Sequence, residues 1–183
     1  NKIIPTAGVP TGGGGGITQI VTVSDSVRET SGSVSMSTVN TYYDTPFAVT
    51  ITPTSSSNKI LLMGHVFGEF TNDDLYFMWR IKRAISGGST TNIQAPAAGS
   101  RAVGISVPPS GFYNSNSDST PTAMVWSGLL DSPSTTSAIT YTFQVNATQN
   151  SNSTFYYNRT VNSGDAIDYE RALSWITAME VSA

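Results

Sequence analysis

Few residues of this chain could do chemistry, and their spacing limits what that chemistry could be. The one histidine, His65, sits inside the apolar run Leu61-Leu62-Met63-Gly64-His65-Val66-Phe67. A hydrolytic triad needs a histidine base beside an activated serine and a carboxylate. Serines abound, but no G-x-S-x-G turn occurs to present one as a nucleophile. His65 therefore reads as a packed polar side chain or a subunit contact. The 12 acidic residues are scattered. Asp73-Asp74 lie in a turn-forming cluster, and Asp165, Asp168 and Glu170 follow Ser163-Gly164. A glycosidase needs two carboxyls facing each other about 5–9.5 Å apart, whereas these acids read as turn caps. Calcium at Asp165, Asp168 and Glu170 would lack the spacing of an EF-hand loop. Arg80, Lys82 and Arg83 are the one basic cluster and read as a solvated strand face, not a phosphate site. The sequence thus predicts no catalytic residue, no metal and no cofactor, and a protein that is not an enzyme.

Composition narrows the class further. The chain has 183 residues, enough for one domain with a substantial core. Only 11% are charged, against about 25% in average proteins, so Ser, Thr and Asn carry the solubility. A net charge of -3 argues against nucleic acid, which calls for a basic patch. The absence of cysteine removes disulfides, thiolate catalysis and thiolate metal sites, and leans towards cytosolic synthesis. No stretch approaches the roughly 20 apolar residues of a membrane helix, and the start lacks the basic and apolar regions of a signal peptide. The first residue is Asn, so an initiator is omitted or the chain is cut from something longer. Three sequons begin at Asn146, Asn152 and Asn158; in a chain this rich in Asn, Ser and Thr they read as chance triplets.

Five consecutive glycines, Gly12 to Gly16, divide the chain into residues 1–16, an extended leader with a glycine joint, and residues 17–183, a β head. Polyglycine resists regular structure because glycine loses the most backbone entropy on ordering. The run also lacks the Lys-Ser/Thr and the strand–helix context of a phosphate loop. In the head, period-two alternation dominates. It sets Phe47, Val49 and Ile51 on one face, and Tyr141, Phe143 and Val145 on another, opposite Thr140, Thr142, Gln144 and Asn146. Val34, Met36, Thr38 and Asn40 alternate more weakly. Lys59–Phe67 and Leu75–Lys82 are more continuously apolar, which predicts strands covered on both faces, by a second sheet inside and by a subunit or loop outside. Further strands are expected over 17–23, 101–107, 124–130, 154–158 and 172–181, with one helical turn allowed over 165–172. Roughly eight to ten short strands separated by Gly, Pro, Asn and Ser clusters predict an all-β, antiparallel, jelly-roll-like sandwich. Phe112 and Tyr113 sit in a long excursion from Pro108 to Thr122. There a ring stacks on a sugar face or partner protein, or pins the loop to its own domain.

The order of segments carries a resemblance. It runs from Gly14-Gly15-Gly16-Ile17-Thr18-Gln19 through Ile51-Thr52-Pro53-Thr54-Ser55-Ser56-Ser57-Asn58-Lys59-Ile60, Phe77-Met78-Trp79-Arg80-Ile81-Lys82-Arg83 and Leu130-Asp131-Ser132-Pro133 to Trp175-Ile176-Thr177-Ala178-Met179-Glu180-Val181. Over roughly Gly14 to Val181 the chain resembles virion structural proteins of tailed bacteriophages, often fibre-like. The I-T-P-x-S-x-S-x-K-I stretch and the closing Met-Glu are distinctive in combination and weak singly. The resemblance implies a jelly-roll-like head, a homotrimer displayed on the particle, made in bacterial cytoplasm, and it carries over no catalytic residue.

On this reading Ile3, Ile4, Pro5, Val9 and Pro10 form an anchor, an extended segment of low entropy that lies in a groove of capsid or another virion protein. The role expected is capsid-bound decoration, cement or head fibre. The alternative is the receptor-binding tip of a tail fibre, recognising a host-surface glycan or protein through the long loops. A small depolymerase would need a carboxylate pair in a cleft. A secreted trimeric signalling head would usually bring a signal peptide or a collagen-like stalk. Neither nucleic acid nor membrane is an expected partner.

Overall fold

The computed structural model describes residues 16–71, 76–109, 119–149 and 151–183. Their chain order is β1 (Ile17–Thr22), α1 (Asp25–Glu29), β2 (Gly32–Met36), β3 (Tyr42–Ile51), β4 (Lys59–Phe70), β5 (Phe77–Ile85), β6 (Thr90–Ile93), β7 (Thr122–Asp131), β8 (Ile139–Ala147), β9 (Ser153–Tyr157) and β10 (Trp175–Val181). All ladders are antiparallel and fall into two sheets. The smaller runs β3-β8-β5-β6 and the larger β1-β10-β4-β9-β2, with β7 also on β4. The molecule is a jelly-roll-like β-sandwich, as the alternation predicts.

Strand β4 organises the larger sheet. It pairs with β7 from Ile60↔Asp131 to Gly68↔Thr122. It pairs with β10 over Lys59–His65 and with β9 over Gly68–Phe70. The β10 and β9 ladders do not overlap, while β7 overlaps both, so β10 and β9 share one edge of β4 and the sheet forks there.

The core lies between the two sheets. Phe47, Val49 and Ile51 from β3, and Tyr141, Phe143 and Val145 from β8, are buried on the face their spacing assigns. They meet Ile60, Leu62 and Val66 of β4, Met124 and Trp126 of β7, and Ile176 and Ala178 of β10. Phe143 stacks on Trp126 with centroids 5.5 Å apart, and Trp79 lies 5.0 Å from Trp126. Gly64 makes room for this cluster, since a Cβ there would sit 2.1 Å from the Trp126 ring.

Several expectations fail for physical reasons. Residues 101–107 form no strand and make only one bridge, Trp79↔Ser106. Gly104 crosses so close that a Cβ would lie 2.7 Å from the Tyr42 hydroxyl and 2.8 Å from the Trp79 carbonyl. The last strand begins at Trp175, not at residue 172. Residues 165–172 contain bends and a turn, and the one helical turn among the described residues is α1, whose Arg28 Nη1 donates to Asp25 Oδ1 at 2.8 Å. Thr38 and Asn40 lie beyond β2, in a turn where Asn40 takes φ 56°.

The basic cluster is not a solvated face. Arg80 Nε donates to Gln144 Oε1 and its Nη1 to Gln94 Oε1, each at 2.7 Å, with the guanidinium 3.8 Å above the Tyr42 ring. Lys82 pairs with Asp44, which also accepts from Gln144. Arg83 pairs with Asp131 at 2.7 Å, tying the smaller sheet to β7. Asp131 in turn accepts from the Tyr141 hydroxyl at 2.7 Å. Burial, and then the bond to Asp131, push the Tyr141 hydroxyl pKa up. The polar face of β8 is thereby covered, and Thr142, Gln144 and Asn146 are buried.

Candidate functional site

The anchor residues Ile3, Ile4, Pro5, Val9 and Pro10, the loop residues Phe112 and Tyr113, and Asp73-Asp74 all lie outside the described residues. His65 is on the outer face of the larger sheet. Its ring stacks on Trp175, centroids 4.5 Å apart, and its Nδ1 is 3.0 Å from the Leu173 carbonyl oxygen. It packs as a polar side chain with no carboxylate beside it among the described residues. Asp165, Asp168 and Glu170 are exposed, and Glu170 Oε2 accepts from Ser119 Oγ at 3.1 Å. No group of three or more His, Asp or Glu is placed to hold a metal among the described residues.

Two glutamates are fully buried and each fastens a loop. Glu180, on β10, collects donors from segments far apart in the chain. Its Oε1 accepts from Thr54 N at 2.7 Å, Thr54 Oγ1 at 2.9 Å and Asn58 Nδ2 at 2.6 Å. Its Oε2 accepts from Gln19 Nε2 at 2.6 Å. The closing Met-Glu and the I-T-P-x-S-x-S-x-K-I stretch are thus one structural unit, the turn between β3 and β4 wrapped around a carboxylate. Burial pushes the Glu180 pKa up, but the four donors outweigh it and hold the group down at about 2. Glu69 fastens a second loop: Oε1 accepts from Thr120 N and Thr120 Oγ1, and Oε2 accepts from Val161 N at 2.6 Å. Both carboxylates are committed to structure, with no second carboxylate among their hydrogen-bond partners.

The asparagines of the two outer sequons are both buried. Asn158, at φ 59°, donates through Nδ2 to the Arg28 and Thr30 carbonyls and accepts from Ser174 at 2.5 Å. Asn146 is fully buried. Neither amide is presented to solvent, whereas Asn152 is exposed.

The outer face of the larger sheet is the surface that sequence reasoning saw only in part. Side chains paired in register point to one side of a sheet. The register Ile20↔Met179, Met179↔Leu61 and Leu61↔Leu130 therefore lays one apolar row across β1, β10, β4 and β7. A second row joins Trp175, His65 and Val125, and Phe67 with Ala123 continues it. Ile20 is 60% exposed, Val125 63% and Leu130 51%. A row of Thr22, Thr177 and Met63 lies between the two apolar rows, so apolar and threonine side chains alternate across the face. Continuous apolarity in Lys59–Phe67 signalled an outer partner for β4. Strands were expected over β7 and β1, but no outer partner was assigned to them, although Val125 sits between Met124 and Trp126, Leu130 follows Leu129 and Ile20 precedes Val21. Leu75–Lys82 differs from expectation, because the outward Arg80 and Lys82 make its outer face polar.

No family model matches the chain, and no curated protein matches it. Among solved structures the chain is similar to the infectious bursal disease virus VP2 subviral particle, at 11% identity and a TM-score of 0.34, over 89% of this chain and 40% of that one. It is similar to the infectious bursal disease virus Gx strain structure at 11% identity and a TM-score of 0.33, with the same coverage. The chain spans 40% of the length of these neighbours. Likeness of this depth says nothing of what this chain binds or does.

Proposed function

We propose that the chain is a structural protein of a virus particle, of the bacteriophage capsid-decoration or head-fibre type. Its leader, with Ile3, Ile4, Pro5, Val9 and Pro10, holds the particle. Its head packs against copies of itself, as a homotrimer, through the outer face of the larger sheet. The observation that carries this reading is the outward apolar row Ile20–Met179–Leu61–Leu130, exposed at its two ends and half-buried between them. A solitary head would leave it in water, and a symmetric assembly covers such faces with its own copies. The resemblance supplies the class of particle, and three of the stretches that carry it, those with Gln19, with Thr54 and Asn58, and with Glu180 itself, meet at that carboxylate.

Light scattering on the purified chain tests the assembly. The native chain is expected to give a multiple of the 19.4 kDa protomer mass. The double variant Ile20→Lys, Leu130→Glu is expected to run as a folded monomer with an unchanged far-UV spectrum. Equal masses for the two proteins would refute packing through this face.

A further inference from the structure

Behind β9, a cleft of about 260 Å³ is lined by Ser31, Arg159, Thr160, Asn162, Ser163, Gly164, Tyr169 and Arg171. Its size falls just under the roughly 300–1,000 Å³ of pockets for drug-sized ligands, so it suits one small polar molecule. Two arginines face it, and neither belongs to an ion pair among the described residues. Arg159 lies 4.3 Å above the Tyr156 ring and uses only Nη1, donating to the Thr160 and Val161 carbonyls. Arg171 uses only Nη2, donating to Ser31 Oγ at 3.0 Å. Each guanidinium has five N–H donors, so Nε and one further nitrogen of each have no hydrogen-bond partner among the described residues.

The walls are fixed from the interior. Buried Asn158 clamps the Arg28–Thr30 segment, and with it Ser31, against the end of β9. Buried Glu69 holds Val161 N. Asn162 Nδ2 donates to the Tyr169 hydroxyl at 2.8 Å and its Oδ1 accepts from Gly164 N, which closes the loop that forms the far wall. Tyr169 keeps its own proton to donate, and so does Ser31.

We propose that this cleft binds a monoanionic sugar, its carboxylate held by Arg159 and Arg171 and its hydroxyls by Ser31, Asn162, Ser163 and Tyr169. A planar guanidinium fork matches a carboxylate in two parallel bonds. The lining holds two arginines and no carboxylate, while Asp165, Asp168 and Glu170 lie between those arginines in sequence, which suits a single negative charge better than a doubly charged phosphate. The site is independent of the apolar face and stands whether or not that face assembles copies.

Calorimetric titration of the full chain with glucuronate, glucose, glucose 6-phosphate and inorganic phosphate tests it. Saturable glucuronate binding is expected, with no heat from glucose and weaker binding of both phosphates. Arg171→Gln, at an exposed position, should weaken glucuronate by about tenfold or more, and Arg101→Gln should not change it. No saturation by glucuronate, equal binding of glucose, tighter binding of either phosphate, or an unaltered Arg171→Gln would each overturn the assignment.

Discussion

A single carboxylate shows how one residue holds distant parts of this chain together. Glu180 has donors from Gln19, Thr54 and Asn58 and no exposure to water. Its folded pKa of about 2 lies below the unfolded 4.5. The charged form is therefore the one folding favours, and its contribution is complete above pH 4.5, shrinks as pH falls, and is gone below about 2. Glu180→Gln puts an amide N–H₂ among donors and strands at least one of them, at a cost of about 1–3 kcal/mol. Urea titration should find the variant less stable at neutral pH, with the gap closing as pH drops through that window. A gap independent of pH would contradict the role given to the charge. Sequence reading flagged Met179-Glu180 and the Ile51–Ile60 stretch as distinctive together. It could not see why, because Gln19, Thr54 and Asn58 reach Glu180 only through tertiary folding.

At the scale of elements, strands with one apolar face were legible and segments shaped by close approach were not. Strands β3 and β8 alternate in sequence and bury the predicted residues. Phe143→Ala should cost on the order of 3–5 kcal/mol, because its fully buried ring packs against both Trp79 and Trp126. Near-zero loss in denaturant would overturn the packing described for β8. Gly64→Ala should cost about 1–3 kcal/mol by forcing the Trp126 ring aside, and a midpoint equal to the native one would show that the ring yields freely. Residues 101–107 misled because Val103, Ile105 and Val107 alternate like a strand, while Gly104 spends the segment on passing Tyr42 and Trp79. β6 escaped notice because Thr90–Ile93 is four residues long and mostly polar. α1 did so because a single turn has no room for an apolar stripe.

For the whole molecule, the larger sheet joins its first and last strands, and β1 pairs with β10 alone among the described strands. Removing residues 1–16 leaves every described strand intact, so the truncated head should stay folded and oligomeric and should no longer join particles. Particles carrying the truncated head at normal occupancy, counted by labelled electron microscopy, would end the anchor proposal. The fork at β4 also bears on biosynthesis. A ribosome delivers β1 first and β10 last of these strands. Until Trp175–Val181 has left the exit tunnel, β1 has no neighbour and one side of β4 from Lys59 to His65 stands open. That bare hydrogen-bonding edge can recruit another nascent chain. Slow elongation between β4 and β10 should therefore favour inclusion bodies, and emergence of Trp175–Val181 should be the step that lets the head close.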